Sequence, residues 1–103
     1  MAQSDNGAIV VKRPSAWAMF LRSVIIYIDG KRAGKVGNGQ SVIFDVAPGS
    51  HAIHIRLDWI KTKPLDVNVG PRETVTLECQ TGTRLLAAGL GGVENRISIR
   101  RIA

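Results

Sequence analysis

The chain has 103 residues, 45% of them hydrophobic, which is one domain's worth of sequence and too apolar for a disordered whole. A domain this size buries roughly two thirds of its unfolded surface. Cys79 is the single cysteine, so an internal disulfide is excluded and a reducing compartment fits. With 14 basic and 8 acidic residues the net charge is +6, and the basic residues are spread along the chain apart from Arg96, Arg100 and Arg101. A solvated, solubilising surface is the favoured reading of that charge; an anionic partner is the other.

Residues 1–7 read as a polar tail, and 8–103 as one domain. The tail is no secretory signal, because it opens polar and acidic. The apolar stretch from Ala16 to Ile28 is broken by Arg22 and Ser23 and is too short to span a bilayer, so the expectation is a soluble, cytoplasmic protein. Ala8 to Arg13 is a first β-like run, stopped by Pro14. The compact apolar segment around Trp17, Met19 and Phe20 follows, with neither helical nor strand period. Strands are then predicted at Arg22–Asp29 and Lys31–Val36, joined by Asp29-Gly30, the strongest short-range hairpin signal. Gly37-Asn38-Gly39 and Pro48-Gly49 read as two further hairpin turns, flanking a strand at Gln40–Val46.

The next strand, from Ser50 to Trp59, has an explicit period of two. Ile53, Ile55, Leu57 and Trp59 face one way; Ala52, His54, Arg56 and Asp58 face the other. Leu65, Val67 and Val69 alternate likewise, as do Val75, Leu77 and Cys79 after a turn at Gly70-Pro71. Arg84 to Leu90 is read as a short helical turn stopped by Gly89. A last strand, Arg96–Arg101, alternates Ile97 and Ile99 with arginine and serine. One-sided strands of this kind belong to antiparallel sheets with one wet face, and two such sheets stack. The predicted fold is an all-β antiparallel sandwich of seven or eight strands.

The segments Ile26-Tyr27-Ile28-Asp29-Gly30, Gly34, Ala47-Pro48-Gly49 with His51-Ala52-Ile53, and Glu73-Thr74-Val75-Thr76-Leu77 together resemble the PEGA-type domains, small bacterial domains of transthyretin-like (prealbumin-like) fold. The resemblance covers roughly residues 24 to 78. It implies a transthyretin-like sandwich that serves as an accessory or interaction module, and it supplies no catalytic residue.

Candidate chemistry is sparse. His51 and His54, three apart on a strand, project to opposite faces and do not share a metal ion; no metal or cofactor is expected. Cys79 lies in the apolar phase and reads as a packed thiol rather than a nucleophile. Asp29, Asp45, Asp58, Asp66, Glu73 and Glu78 are scattered over turns and outward positions, with no marked acid–base pair. The glycines of GKVGNG and GLGG lack the lysine and the strand–helix setting of a phosphate loop. An enzyme is therefore not expected.

Two features point to contact with other molecules. The apolar connections carry Trp17, Met19, Phe20, Leu85, Leu86 and Leu90, with Arg22 and Arg84 beside them. Either they cap the core or they form an interface core with a basic rim. The second feature is Trp59 with Lys61 and Lys63, an aromatic platform beside two cations; its phase with Ile55 and Leu57 favours a core tryptophan. The expected function is a non-enzymatic protein–protein interaction module that self-associates. The alternatives are a membrane-surface accessory domain using the same patch on an anionic bilayer, and weak glycan or nucleic-acid binding through Trp59, Lys61 and Lys63. Nucleic acid is not the expected partner.

Overall fold

A computed structural model describes residues 5–14, 23–57, 60–81 and 97–103. Among these residues the chain is all-β, with nine strands: β1 Gly7–Lys12, β2 Val24–Ile28, β3 Lys31–Val36, β4 Ser41–Val46, β5 Gly49–Leu57, β6 Ile60–Lys61, β7 Leu65–Val69, β8 Thr74–Thr81 and β9 Ile97–Arg101. They form two sheets in a sandwich-like arrangement. The first, sheet A, has the order β4-β1-β8-β9; the second, sheet B, has the order β3-β2-β5-β6, with β7 also pairing β5. The helical turn predicted at Arg84–Leu90 lies outside the described residues.

The alternation read from the sequence places the core. Ile9, Val11, Val46, Val75, Leu77, Cys79 and Ile97 enter from sheet A; Val24, Ile26, Val36, Ile53, Ile55, Leu57, Ile60, Val67 and Val69 enter from sheet B. All are buried, and at about 1.5–3 kcal/mol per aliphatic side chain they are the main cohesive term between the sheets. β1 begins at Gly7, inside the stretch read as tail, and Arg72 N–H donates to the Asp5 carbonyl at 3.1 Å just before it.

Three expectations are corrected. The sandwich is not wholly antiparallel: β1 runs parallel to β8, with Ile9 beside Val75 and Val11 beside Leu77. Alternation says which side chains face the core but not the direction of the neighbouring strand. There are also nine strands rather than seven or eight, because Ile60–Lys61, read as loop, pairs with Arg56 and Leu57 of β5.

The third correction concerns the turns. Of the three predicted hairpin turns, Asp29-Gly30 alone closes one, joining β2 to β3. Both residues take positive φ, 54° and 80°, the two-residue geometry whose twist matches paired strands. At Gly37-Asn38-Gly39 the Gln40 N–H donates to the Gly37 carbonyl at 3.1 Å and Gly39 alone of the three takes positive φ, 74°. That is the type II pattern, which splays its flanking strands instead of pairing them. β3 therefore stays in sheet B while β4 crosses to sheet A and pairs with β1. Pro48-Gly49 then returns the chain to sheet B, with Gly49 at φ 132°. Gly70-Pro71 is likewise a crossing, from β7 to β8.

A bulge interrupts β2–β3. Gly34 pairs with Ile26 and Arg32 with Tyr27, so Ala33 is the extra residue. Gly34 faces inward, and a Cβ there would stand 3.0 Å from the Phe44 ring, so the missing side chain makes room for an aromatic from the opposite sheet.

Candidate functional site

The predicted interaction residues Trp17, Met19, Phe20, Arg22, Arg84, Leu85, Leu86 and Leu90 lie outside the described residues, as do Asp58 and Trp59. Lys61 and Lys63 are described. With Pro64, Leu65, Ile97 and Ile99 they line an open groove of about 610 Å³ between the β6–β7 connection and edge strand β9.

His51 and His54 face opposite sides of β5, as the spacing requires. His51 sits near the start of β5, where the β2–β3 turn meets the β4–β5 corner. Its Nδ1 is 2.6 Å from Asp29 Oδ2 and its Nε2 is 2.7 Å from the Ala47 carbonyl. Both partners only accept, so the two bonds form together when both ring nitrogens carry a proton, and the corner favours the imidazolium. The Ala47 carbonyl, then Asp29, raise its pKa above the ordinary 6.5. Asp29 also accepts from Ala52 N–H at 2.8 Å through Oδ1, and that bond, followed by His51, lowers its pKa. An imidazole with neither lone pair free is not a general base, so this pair acts as a corner brace. Among the described residues no group of three His, Cys, Asp or Glu side chains is placed to hold a metal.

Cys79 is fully buried, and burial pushes its thiol up to about 11, with Arg13 pulling the other way. It packs as the sequence suggested. Arg13 is the residue that sequence reasoning missed. It continues the inward phase of Ile9 and Val11, is 1% exposed, and its Nη1 donates to the Val36 carbonyl at 3.2 Å, tying sheet A to sheet B. Desolvation lowers its pKa. The phase was a usable signal; the neighbouring Pro14 obscured it by marking a strand end.

Two surfaces remain. The first is β4, the free margin of sheet A among the described residues. Its outward residues are Ser41, Ile43 and Asp45, and Ile43 is 65% exposed. Two other margins carry features that discourage pairing with another chain: a bulge with Lys31, Arg32 and Lys35 on β3, and Arg100 and Arg101 on β9; the margin at β7 turns Asp66 and Asn68 outward, with no exposed apolar side chain like Ile43. β4 has no lysine, arginine, proline or bulge.

The second surface is the outer face of sheet B. Register aligns Lys35, Ile25, Arg56 and Lys61 in one row across β3, β2, β5 and β6. The adjacent row is Arg32, Tyr27 and His54. The Tyr27 and His54 rings stack, centroids 4.5 Å apart and planes within 3°, and the Arg56 guanidinium lies 5.8 Å from the Tyr27 centroid. Burial, then Lys61, lowers the His54 pKa.

The outer face of sheet A is built differently. Its corresponding row, Ser41, Lys12, Glu78 and Arg100, alternates in sign, and Arg100 donates to Glu78 at 3.0 Å. Comparison of the chain with protein-family models, with curated proteins and with solved structures gives no match.

Proposed function

We propose that this chain is a non-catalytic interaction module, a transthyretin-like domain of the PEGA-like kind, that self-associates through β4. The family reading rests on the sequence resemblance, and three of the residues that carry it, Asp29, Ala47 and His51, are bonded to one another at a single corner.

The observation that carries the self-association is the unprotected β4 margin with Ile43 exposed at its middle. Antiparallel pairing of β4 with its own copy about a two-fold axis at Ile43 sets Ile43 against Ile43. It also sets Val42 against Phe44, and Ser41 against Asp45. Apolar meets apolar, and each carboxylate meets a hydroxyl instead of the other carboxylate. Two four-stranded sheets become one of eight.

The test is molar mass by light scattering over a concentration series, for wild type and Ile43→Lys. The expected result is a concentration-dependent wild-type dimer that the substitution makes a folded monomer. A wild-type monomer at every concentration overturns self-association. A dimer that Ile43→Lys leaves intact overturns the β4 contact, and Leu86→Asp then tests the apolar connections.

A further inference from the structure

We propose that the outer face of sheet B is a binding surface for single-stranded nucleic acid, with Lys35, Arg56 and Lys61 holding phosphates and Tyr27 and His54 beside them meeting bases. The proposal is independent of the β4 contact, which lies on the other sheet.

The first support is the charge pattern. Residues directly opposite on neighbouring strands have side chains about 5 Å apart, and like charges there are destabilising. Arg56 and Lys61 are such a pair, Lys35 lies on the same row, and Arg32 lies in the next. Among the described residues no carboxylate stands in either row; Asp66, opposite Ala52, begins the row beyond. On sheet A the equivalent row has Glu78 between Lys12 and Arg100. The same chain thus compensates charge on one face and accumulates it on the other, which suits a partner that brings the negative charge.

The second support is shape. Strands in a sheet lie about 4.8 Å apart, so the row from β3 to β6 spans roughly 14 Å. That accommodates several phosphates of a strand, which are no closer than about 3.4 Å along the axis when stacked. The large apolar side chains that are exposed among the described residues, Ile43 and Ile102, are not on this face, and Ile25 at its centre is half-buried, so the described residues present no exposed apolar wedge to a bilayer. Its rings and guanidinium are the groups that meet bases without sequence preference. The basic residues are dispersed in sequence; strand register collects them.

Fluorescence anisotropy with labelled oligo-dT and oligo-U of about 20 nucleotides tests this, using Arg56→Gln/Lys61→Gln and, as a control of equal charge change, Lys12→Gln/Arg100→Gln. Wild type should bind saturably. Log affinity should fall with log salt at a slope of about −0.7 for each phosphate neutralised, near −3 for four cations. The sheet B variant should bind about tenfold more weakly with roughly half that slope, remain folded, and leave the oligomeric state unchanged. The control should bind nearly as wild type.

A second readout is local. Oligonucleotide should raise the His54 pKa in an NMR titration by offsetting Lys61, the cation that lowers it, on a face it shares with Tyr27 and Arg56, and should leave His51 unmoved. Absence of binding at low salt overturns the proposal. So does equal loss in both variants, which would be net charge alone. Capture by phosphatidylserine vesicles without oligonucleotide binding overturns it too, and assigns the face to a membrane surface.

Discussion

His51, near the start of β5, and Asp29, in the β2–β3 turn at the same end of the second sheet, pair with an Nδ1–Oδ2 distance of 2.6 Å. His51 is largely buried while Asp29 is half exposed, so solvent screens the pair. Its value lies in bringing two connections to one point, the β2–β3 turn and the Ala47–Gly49 corner that leads into β5.

The pair makes stability depend on pH at both ends of a window. The His51 pKa is raised above 6.5, so its contribution is fully present below 6.5 and is lost as pH rises through the folded value. The Asp29 pKa is lowered below 3.8, so its contribution is present above 3.8 and is lost as pH falls through the folded value. His51→Ala should cost roughly 1 kcal/mol between those limits and less outside them, read by urea unfolding across the pH range.

His54 acts with the opposite sign. Its folded pKa lies below 6.5, so the unfolded chain binds the proton more readily and wild-type stability rises with pH through 6.5 on its account. His54→Gln should remove that slope while leaving the window set by His51. Unfolding curves of the two single variants separate the two imidazoles.

Arg13 gives a contrast between stem and charge. Its side chain is buried against the inner faces with Nη1 on the Val36 carbonyl. Arg13→Ala should cost about 2–4 kcal/mol through the cavity and the lost bond. Arg13→Met keeps most of the packed stem and removes the buried charge, so it should cost less than about 1.5 kcal/mol. Thermal or denaturant unfolding of the pair checks the ordering.

How much of this could be read from the sequence divides by range. Period-two alternation identified the buried positions of the later strands, Ile53, Ile55, Leu57, Val67, Val69, Val75, Leu77, Cys79 and Ile97, because it depends on one strand at a time. Asp29-Gly30 was legible because a type I′ turn needs two residues that tolerate positive φ. The other glycine turns were misread as hairpins because a Gly at one central position is compatible with a turn that parts its strands. The cationic row was invisible for a different reason. Lys35, Arg56 and Lys61 are widely separated in sequence, and only the pairing of four strands makes them neighbours.

Cys79 and Gly34 test the interior from both sheets. With its thiol pushed up to about 11 by burial, Cys79 should react with a thiol reagent only when the native state opens, so its labelling rate should follow unfolding as denaturant is raised. Gly34→Val should destabilise by about 1–3 kcal/mol, because a Cβ there already meets the Phe44 ring at 3.0 Å. Gly34→Val combined with Phe44→Leu should recover part of that loss.

The parallel contact of β1 with β8 also sets an order of events during synthesis. The strands of sheet B lie between Val24 and Val69 and can assemble once that stretch has left the ribosome. β1 emerges first, yet it meets its long-range neighbour only after Thr74 to Glu78 has been made. Loop closure over that distance is slow relative to hairpin formation. β1 therefore waits beside a half-built molecule with one margin open until β8 is made, and β9 then completes the sheet.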